Sequence, residues 1–221
     1  MLQSIFARGL NAHAVCDAVA VLLVREEANQ RALAEADAQD PEPLRLRVYA
    51  DRTAPISDWI DVNSDADKSP IINVRLERSE YVGGNVIEQQ RCQVRIGIEC
   101  FAVGYAAQTA DGFTHADAML LDRLRSAVGF VRKVLMAGEN TYLGMRGVVS
   151  KRWIDSEAYL PLDLEQDPRV QHVRACKLSL VVDTYEVSPQ TEATTLGSVR
   201  VRLIKQSDGQ VLASSIITAE E

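Results

Sequence analysis

Residues 89–106, QQRCQVRIGIECFAVGYA, alternate Cys92, Val94, Ile96, Ile98 and Cys100 with Gln93, Arg95, Gly97 and Glu99. A period of two in hydropathy marks a strand with one buried and one solvated face. Such a strand cannot stand alone. It needs neighbouring strands to take its backbone hydrogen bonds and an apolar layer to cover its inner face.

The covering layer is legible elsewhere in the chain. Residues 114–138, THADAMLLDRLRSAVGFVRKVLMAG, place Leu120, Leu124, Val128, Val131 and Leu135 on one helical face. Thr114 and Asp117 are spaced as a capping box, and Gly138 marks the stop. A second helix runs from His13 to about Ala36, with Val15, Val19, Leu22 and Leu23 at helical spacing, and ends before Asp40-Pro41.

Further strands follow from the same period-two test. Residues 44–52, LRLRVYADR, alternate Leu44, Leu46 and Val48 with Arg45, Arg47 and Tyr49. Residues 71–82, IINVRLERSEYV, join the 89–106 strand through Gly83-Gly84-Asn85, which predicts a long antiparallel hairpin. Residues 148–162 read as an irregular strand, and 173–187 alternate Cys176, Leu178, Leu180 and Val182 with Lys177, Ser179 and Asp183. The tail, 198–218, holds two strand-like runs around Ser207-Asp208-Gly209, a hairpin turn signal. The order predicts an α+β fold: an antiparallel β-sheet packed by two main helices, in a domain over 1–190, with an additional C-terminal β-hairpin or arm over 191–221.

Catalytic motifs are missing from this frame. Neither G-x-S-x-G, a Walker A loop nor G-x-G-x-x-G occurs. His13, His115 and His172 stand on separate elements with no second histidine at ligand spacing. The best metal candidate is the run Asp61, Asn63, Asp65 and Asp67, which sets oxygen side chains at alternate positions as a calcium loop does. Ala66 occupies the place of the turn glycine and Ile72 that of the bidentate glutamate, so a solvated Asx-rich loop is the better reading. Gly83 and Gly84 suit a hairpin better than a phosphate cradle, since no helix start follows them. The residues lead us to expect no catalytic site, no metal and no cofactor.

Composition narrows the partners. A net charge of −7 gives no basic footprint for gripping phosphates or an anionic membrane surface. The apolar run from Ala18 to Val24 is too short to span a bilayer, which points to a cytoplasmic product. Cys16, Cys92, Cys100 and Cys176 lie far apart with no C-x-x-C pair, so reduced, mostly buried thiols are expected. Of Trp59 and Trp153, one is expected in a core and one at an interface. Candidate interface residues are Trp59, Tyr81, Gly83, Gly84, Asn85, Arg200 and Arg202, on loops and on polar strand faces such as those of Arg95 and Glu99.

The succession of an N-terminal helix, RVYADR, an entry at SPIINVRLE, a hairpin ending QVRIGIECFAVGYA and the helix ADAMLLDRLRSAVGFVRKVL resembles the phage tail terminator and neck (tail-completion) protein family over about residues 13–185. The resemblance is one of element order and hydrophobic spacing, without a diagnostic motif. It implies a virion structural protein, made in the host cytoplasm, that forms a hexameric ring, caps the tail tube and meets head-completion or connector proteins. Genomic DNA would pass through the lumen without specific binding, which suits an acidic chain. Residues 191–221 exceed a minimal member of that family and imply an arm toward a neighbour or, in a contractile tail, the sheath. The alternatives are another connector or baseplate subunit, or a small ligand- or calcium-binding α+β domain.

Overall fold

Helix α2, Ala116–Met136, buries Leu120, Leu124, Ala127, Val128, Val131, Val134 and Leu135, the stripe that its three- and four-residue spacing dictates. The computed structural model describes residues 11–56, 68–82, 89–104, 107–109, 112–160, 173–187, 198–204 and 211–218. Helix α1, Asn11–Ala36, buries Val15, Cys16, Val19, Leu22 and Leu23. Truncating a fully buried leucine such as Leu124 to alanine costs about 2–5 kcal/mol, so this stripe is central to stability.

The expected capping box does not form. Thr114 is taken up in a small hairpin, β4 (Ala107–Thr109) with β5 (Gly112–Thr114), where it pairs with Ala107. His115 becomes the N-cap of α2 without a side-chain capping bond. At the other end α2 stops at Ala137, and Gly138 opens a 3-10 turn through Asn140.

The sheet has five strands in the order β1 (Arg47–Ala50), β2 (Ile71–Val82), β3 (Gln89–Val103), β7 (Val173–Val187) and β6 (Val149–Leu160). The expected hairpin is β2 against β3, antiparallel from Ile71–Phe101 to Val82–Arg91. Its joining residues 83–88 lie outside the described residues. The expectation of a wholly antiparallel sheet needs one correction: β1 runs parallel to β2, Arg47 opposite Ile71 and Ala50 opposite Val74. Residues 51–70 are enough chain for the crossover that a parallel pair requires. Alternation fixes which face a residue takes and leaves strand direction open. The strand expected over 44–52 is also shorter, because Pro41 and Pro43 favour a 3-10 turn over Glu42–Leu44 instead.

Register then sorts every side chain. Ile72, Val74, Val94, Ile96, Ile98, Leu178, Leu180 and Val182 form one core with α1 and α2. On the opposite face Ile71, Phe101 and Ala175 make a small second core, covered by Tyr49, Ile56 and Leu160. The irregularity expected of β6 appears as register shifts after Val149 and Ile154, each inserting one residue against β7.

The tail forms a separate two-stranded antiparallel sheet, β8 (Ser198–Ile204) with β9 (Val211–Thr218). The chain divides into two compact units, Ser4–Ser188 and Pro189–Glu221 together with Met1–Gln3.

Candidate functional site

Beyond the small second core, the sheet face turned away from the helices carries charged and amide side chains, and among the described residues they pair within the chain. Asn73, fully buried, donates to the Glu99 carboxylate at 3.3 Å and to the Arg52 carbonyl at 2.9 Å. Glu99 also lies 3.8 Å from Arg75. Arg95 donates to Asp155 at 2.6 Å and to the Ser179 hydroxyl at 3.0 Å. Glu77, the extra residue of a bulge in β2, crosses over Gly97 to form an ion pair with Lys177. Arg91 and Gln93 both donate to Asp183. Arg95 and Glu99, whose polar faces were expected either to meet water or to pair across subunits, are engaged across strands of their own sheet.

Among the described residues this face is a stitched surface, on which no set of acid, base and nucleophile converges. Among the described residues no group of three or more His, Cys, Asp and Glu side chains is placed to hold a metal ion. His13 and His115 are exposed on different elements. The calcium-loop run Asp61, Asn63, Asp65 and Asp67 lies outside the described residues, as do His172, Trp59, Gly83, Gly84 and Asn85. Trp153 is half-buried in β6, opposite Val181.

The four cysteines are free and buried. Burial pushes the Cys16 thiol up to about 12, helped by the charges of Asp51 and Asp17. Burial pushes Cys176 up to about 11, helped by Glu157, and Cys100 is also raised, by burial first and then by Cys176 and Glu157. Thiols so protonated and enclosed are poor nucleophiles. The expectation of reduced, buried thiols matches what is seen.

A groove of about 560 Å³ lies between α1, the 3-10 turn and α2. Leu44, Leu46, Phe130 and Val134 line it with Lys133 and Asn140. Its one buried polar side chain, Asn140, is already committed to the Val134 carbonyl at 2.9 Å, so it is not poised toward a ligand.

Exposed apolar surface lies instead at the far end of the β2–β3 hairpin. Tyr81 and Val82 are each 47% exposed, and Tyr185 on β7 is 38% exposed. Val82 stands opposite Arg91, and Arg91 opposite Tyr185, so the three make one row across the sheet. Tyrosine and arginine are the residue types enriched at the energetic centres of interfaces. Of the candidate interface residues, Tyr81 lies at this end. Arg200 and Arg202 hold register positions opposite Ile216 and Ser214 in the separate β8–β9 sheet.

Sequence reasoning missed Val82, Tyr185 and an exposed stripe on α1. The signal for the last was present: the run Ala18–Val24 is more apolar than one helix face can hide, so Val21 and Val24 had to point outward. Among the described residues no helix is long and apolar enough to cross a membrane. No protein-family model matches the chain, and no curated protein is significantly similar to it.

Proposed function

We propose that this chain is a non-enzymatic structural subunit of a phage-like particle, of the tail-terminator or neck type. It closes into a ring, a hexamer in this reading, caps the tail tube and joins it to the head-completion proteins. The observation that carries the proposal is the exposed row Val82, Arg91 and Tyr185 at one end of the sheet, with Tyr81 exposed at the same end on the opposite face, where it stands opposite Cys92. Polar chemistry spent on internal pairing leaves an apolar, aromatic end to act by contact.

A ring requires heterologous contacts, one patch meeting a different patch on the next subunit, and the exposed row Val82, Arg91 and Tyr185 supplies one half of such a pair. The two edges of the sheet suit a discrete contact better than open-ended strand pairing. β1 has four residues, and β6 is interrupted by its two inserted residues. The net charge of −7 lets DNA slide through a lumen that does not hold its phosphates.

The test is a full-length chain carrying Tyr81→Asp and Tyr185→Asp, imaged by negative-stain electron microscopy beside the unmodified chain. Loss of closed rings with an unchanged melting temperature is the expected result. Rings that persist at unchanged abundance would remove the hairpin end from the assembly.

A further inference from the structure

On the outer side of α1, Asp17, Val21 and Arg25 stand at four-residue steps, and all three are exposed. Val21 is 67% exposed; Val24, at 49%, and the exposed Ala28 form the adjoining row. The opposite side of the helix, with Val15, Val19, Leu22 and Leu23, lies in the core. The outer side is thus a second apolar strip, turned to solvent, with one acid and one base set evenly about Val21.

The other charges nearby on this helix are engaged locally. Glu27 lies 3.8 Å from Arg31, and Glu26 accepts from Asn29 at 3.2 Å and from Gln30 at 2.7 Å. Among the described residues no ion pair includes Asp17 or Arg25. Eight residues apart, they are separated by about 12 Å along the helix and do not reach each other. The order acid, valine, base at equal steps is, however, complementary to itself. A two-fold axis beside Val21 runs a second copy of the row antiparallel to the first, sets valine on valine, and places Asp17 of each copy opposite Arg25 of the other. A parallel arrangement would instead set like charge against like. Helices crossing at about 50° align their four-residue rows in this way.

We propose that the outer face of α1 is a self-association surface, on which a second copy of this chain docks through the same face, Asp17 of each copy paired with Arg25 of the other. The contact is isologous, so it is separate from the heterologous ring contact above and by itself gives a dimer. Beside the ring contact it links rings in pairs. One helix face covers less than the roughly 1,200 Å² of a standard interface, so the pairing is weak and is populated at micromolar concentration and above.

Val21→Cys places an accessible thiol at the axis, because the four native cysteines are buried. The full-length variant, oxidised with diamide at micromolar concentration, should run as a disulfide-linked dimer on a denaturing gel without reductant. Ala28→Cys sets the background: its two thiols would lie about 20 Å apart across the axis, beyond the reach of a disulfide. In the Val21→Cys chain, Asp17→Arg or Arg25→Asp alone sets like charges opposite each other twice and should lower the crosslinked yield about tenfold. Both together restore the alternation with its signs exchanged, and should return the yield to within about twofold of the starting value. Since the double variant carries both substitutions, its recovery separates lost pairing from lost fold. Crosslinking of Val21→Cys no better than that of Ala28→Cys overturns the proposal, as does a yield that the single reversals leave unchanged or the double variant fails to restore. Adding Tyr81→Asp and Tyr185→Asp should leave the crosslink in place. A crosslink lost with them assigns the proximity of the thiols to the ring contact and overturns the two-fold pairing.

Discussion

Asp183 on β7 accepts a 2.5 Å hydrogen bond from the Arg91 guanidinium on β3, a diagonal pair, since Arg91 stands opposite Tyr185 and Gln93 opposite Asp183. Asp183 is 1% exposed. Burial by itself would raise its carboxyl. Hydrogen bonds from Arg91 and Gln93, with the charges of Arg91 and Lys151, outweigh that and hold it below the usual carboxylate range. The pair ties the two central strands together beside the exposed row at the hairpin end.

The pH dependence of stability follows from the sign of that shift. A carboxylate whose folded pKa is depressed contributes stability above its unfolded pKa of about 3.9, and loses it as the pH falls through the lower folded value. Asp183→Asn should therefore destabilise the fold at pH 7 by about 1–3 kcal/mol. Urea denaturation at pH 7 and near pH 3 measures this, and the difference between the two proteins should shrink at the lower pH. A difference of equal size at both values would show that the charge on Asp183 is not what matters.

Gly97 is constrained by a neighbour's side chain. A Cβ at that position would collide with the Glu77 carboxyl group on its way to Lys177. Gly97→Ala should cost about 1 kcal/mol or less, since the carboxyl it displaces ends a flexible side chain and the partly exposed ion pair it breaks contributes about 0–1 kcal/mol. In a Glu77→Ala background the same substitution should cost far less, a coupling that a double-mutant cycle reads directly.

Arg152 terminates α2 from the neighbouring strand. Its Nε donates to the Leu135 carbonyl at 2.5 Å, and its terminal nitrogens donate to Ala137 at 2.7 Å and Thr141 at 3.0 Å. One planar fork thus meets the Leu135 carbonyl in the last turn of α2, the Ala137 carbonyl at its cap, which also accepts from the Asn140 amide, and the Thr141 carbonyl after the 3-10 turn. Arg152→Ala should destabilise by about 1.5–3 kcal/mol, the range for hydrogen bonds to a charged group. Arg152→Lys should recover only part of this, because an ammonium cannot reproduce the fork. Thermal melting with amide exchange at residues 135–141 distinguishes local fraying from global loss.

Ala38 closes α1 in a left-handed conformation, φ 54°, while the Gln39 amide donates to the Ala34 carbonyl at 2.8 Å. A Cβ disfavours that region by roughly 1–2 kcal/mol, whereas glycine enters it freely. Ala38→Gly should raise stability by up to about 1 kcal/mol, measurable as an increase in the urea midpoint at constant m value.

Elements whose pattern is local were legible in the sequence. The three- and four-residue steps from Leu120 to Leu135 and the alternation from Cys92 to Cys100 required nothing beyond their own segments. The parallel direction of β1 was hidden because its four residues name a face and no partner. The capping box failed because Thr114 had a competing use in β5, which only pairing with Ala107 reveals. Arg91 and Asp183 are 92 residues apart, and their meeting depends on a register that no single segment encodes. Tyr81 was legible as a candidate from its place near the turn, while Tyr185 needed the same register to be set beside Arg91 and in one row with Val82.

The proposed ring requires that this chain close on copies of itself. Mass photometry of the purified, unmodified protein across a concentration series tests that without assuming a partner. The expected result is a discrete species near six subunits, about six times the 24.4 kDa chain mass, that grows with concentration at the expense of the monomer. A monomer at every concentration, with no larger closed species, would contradict it.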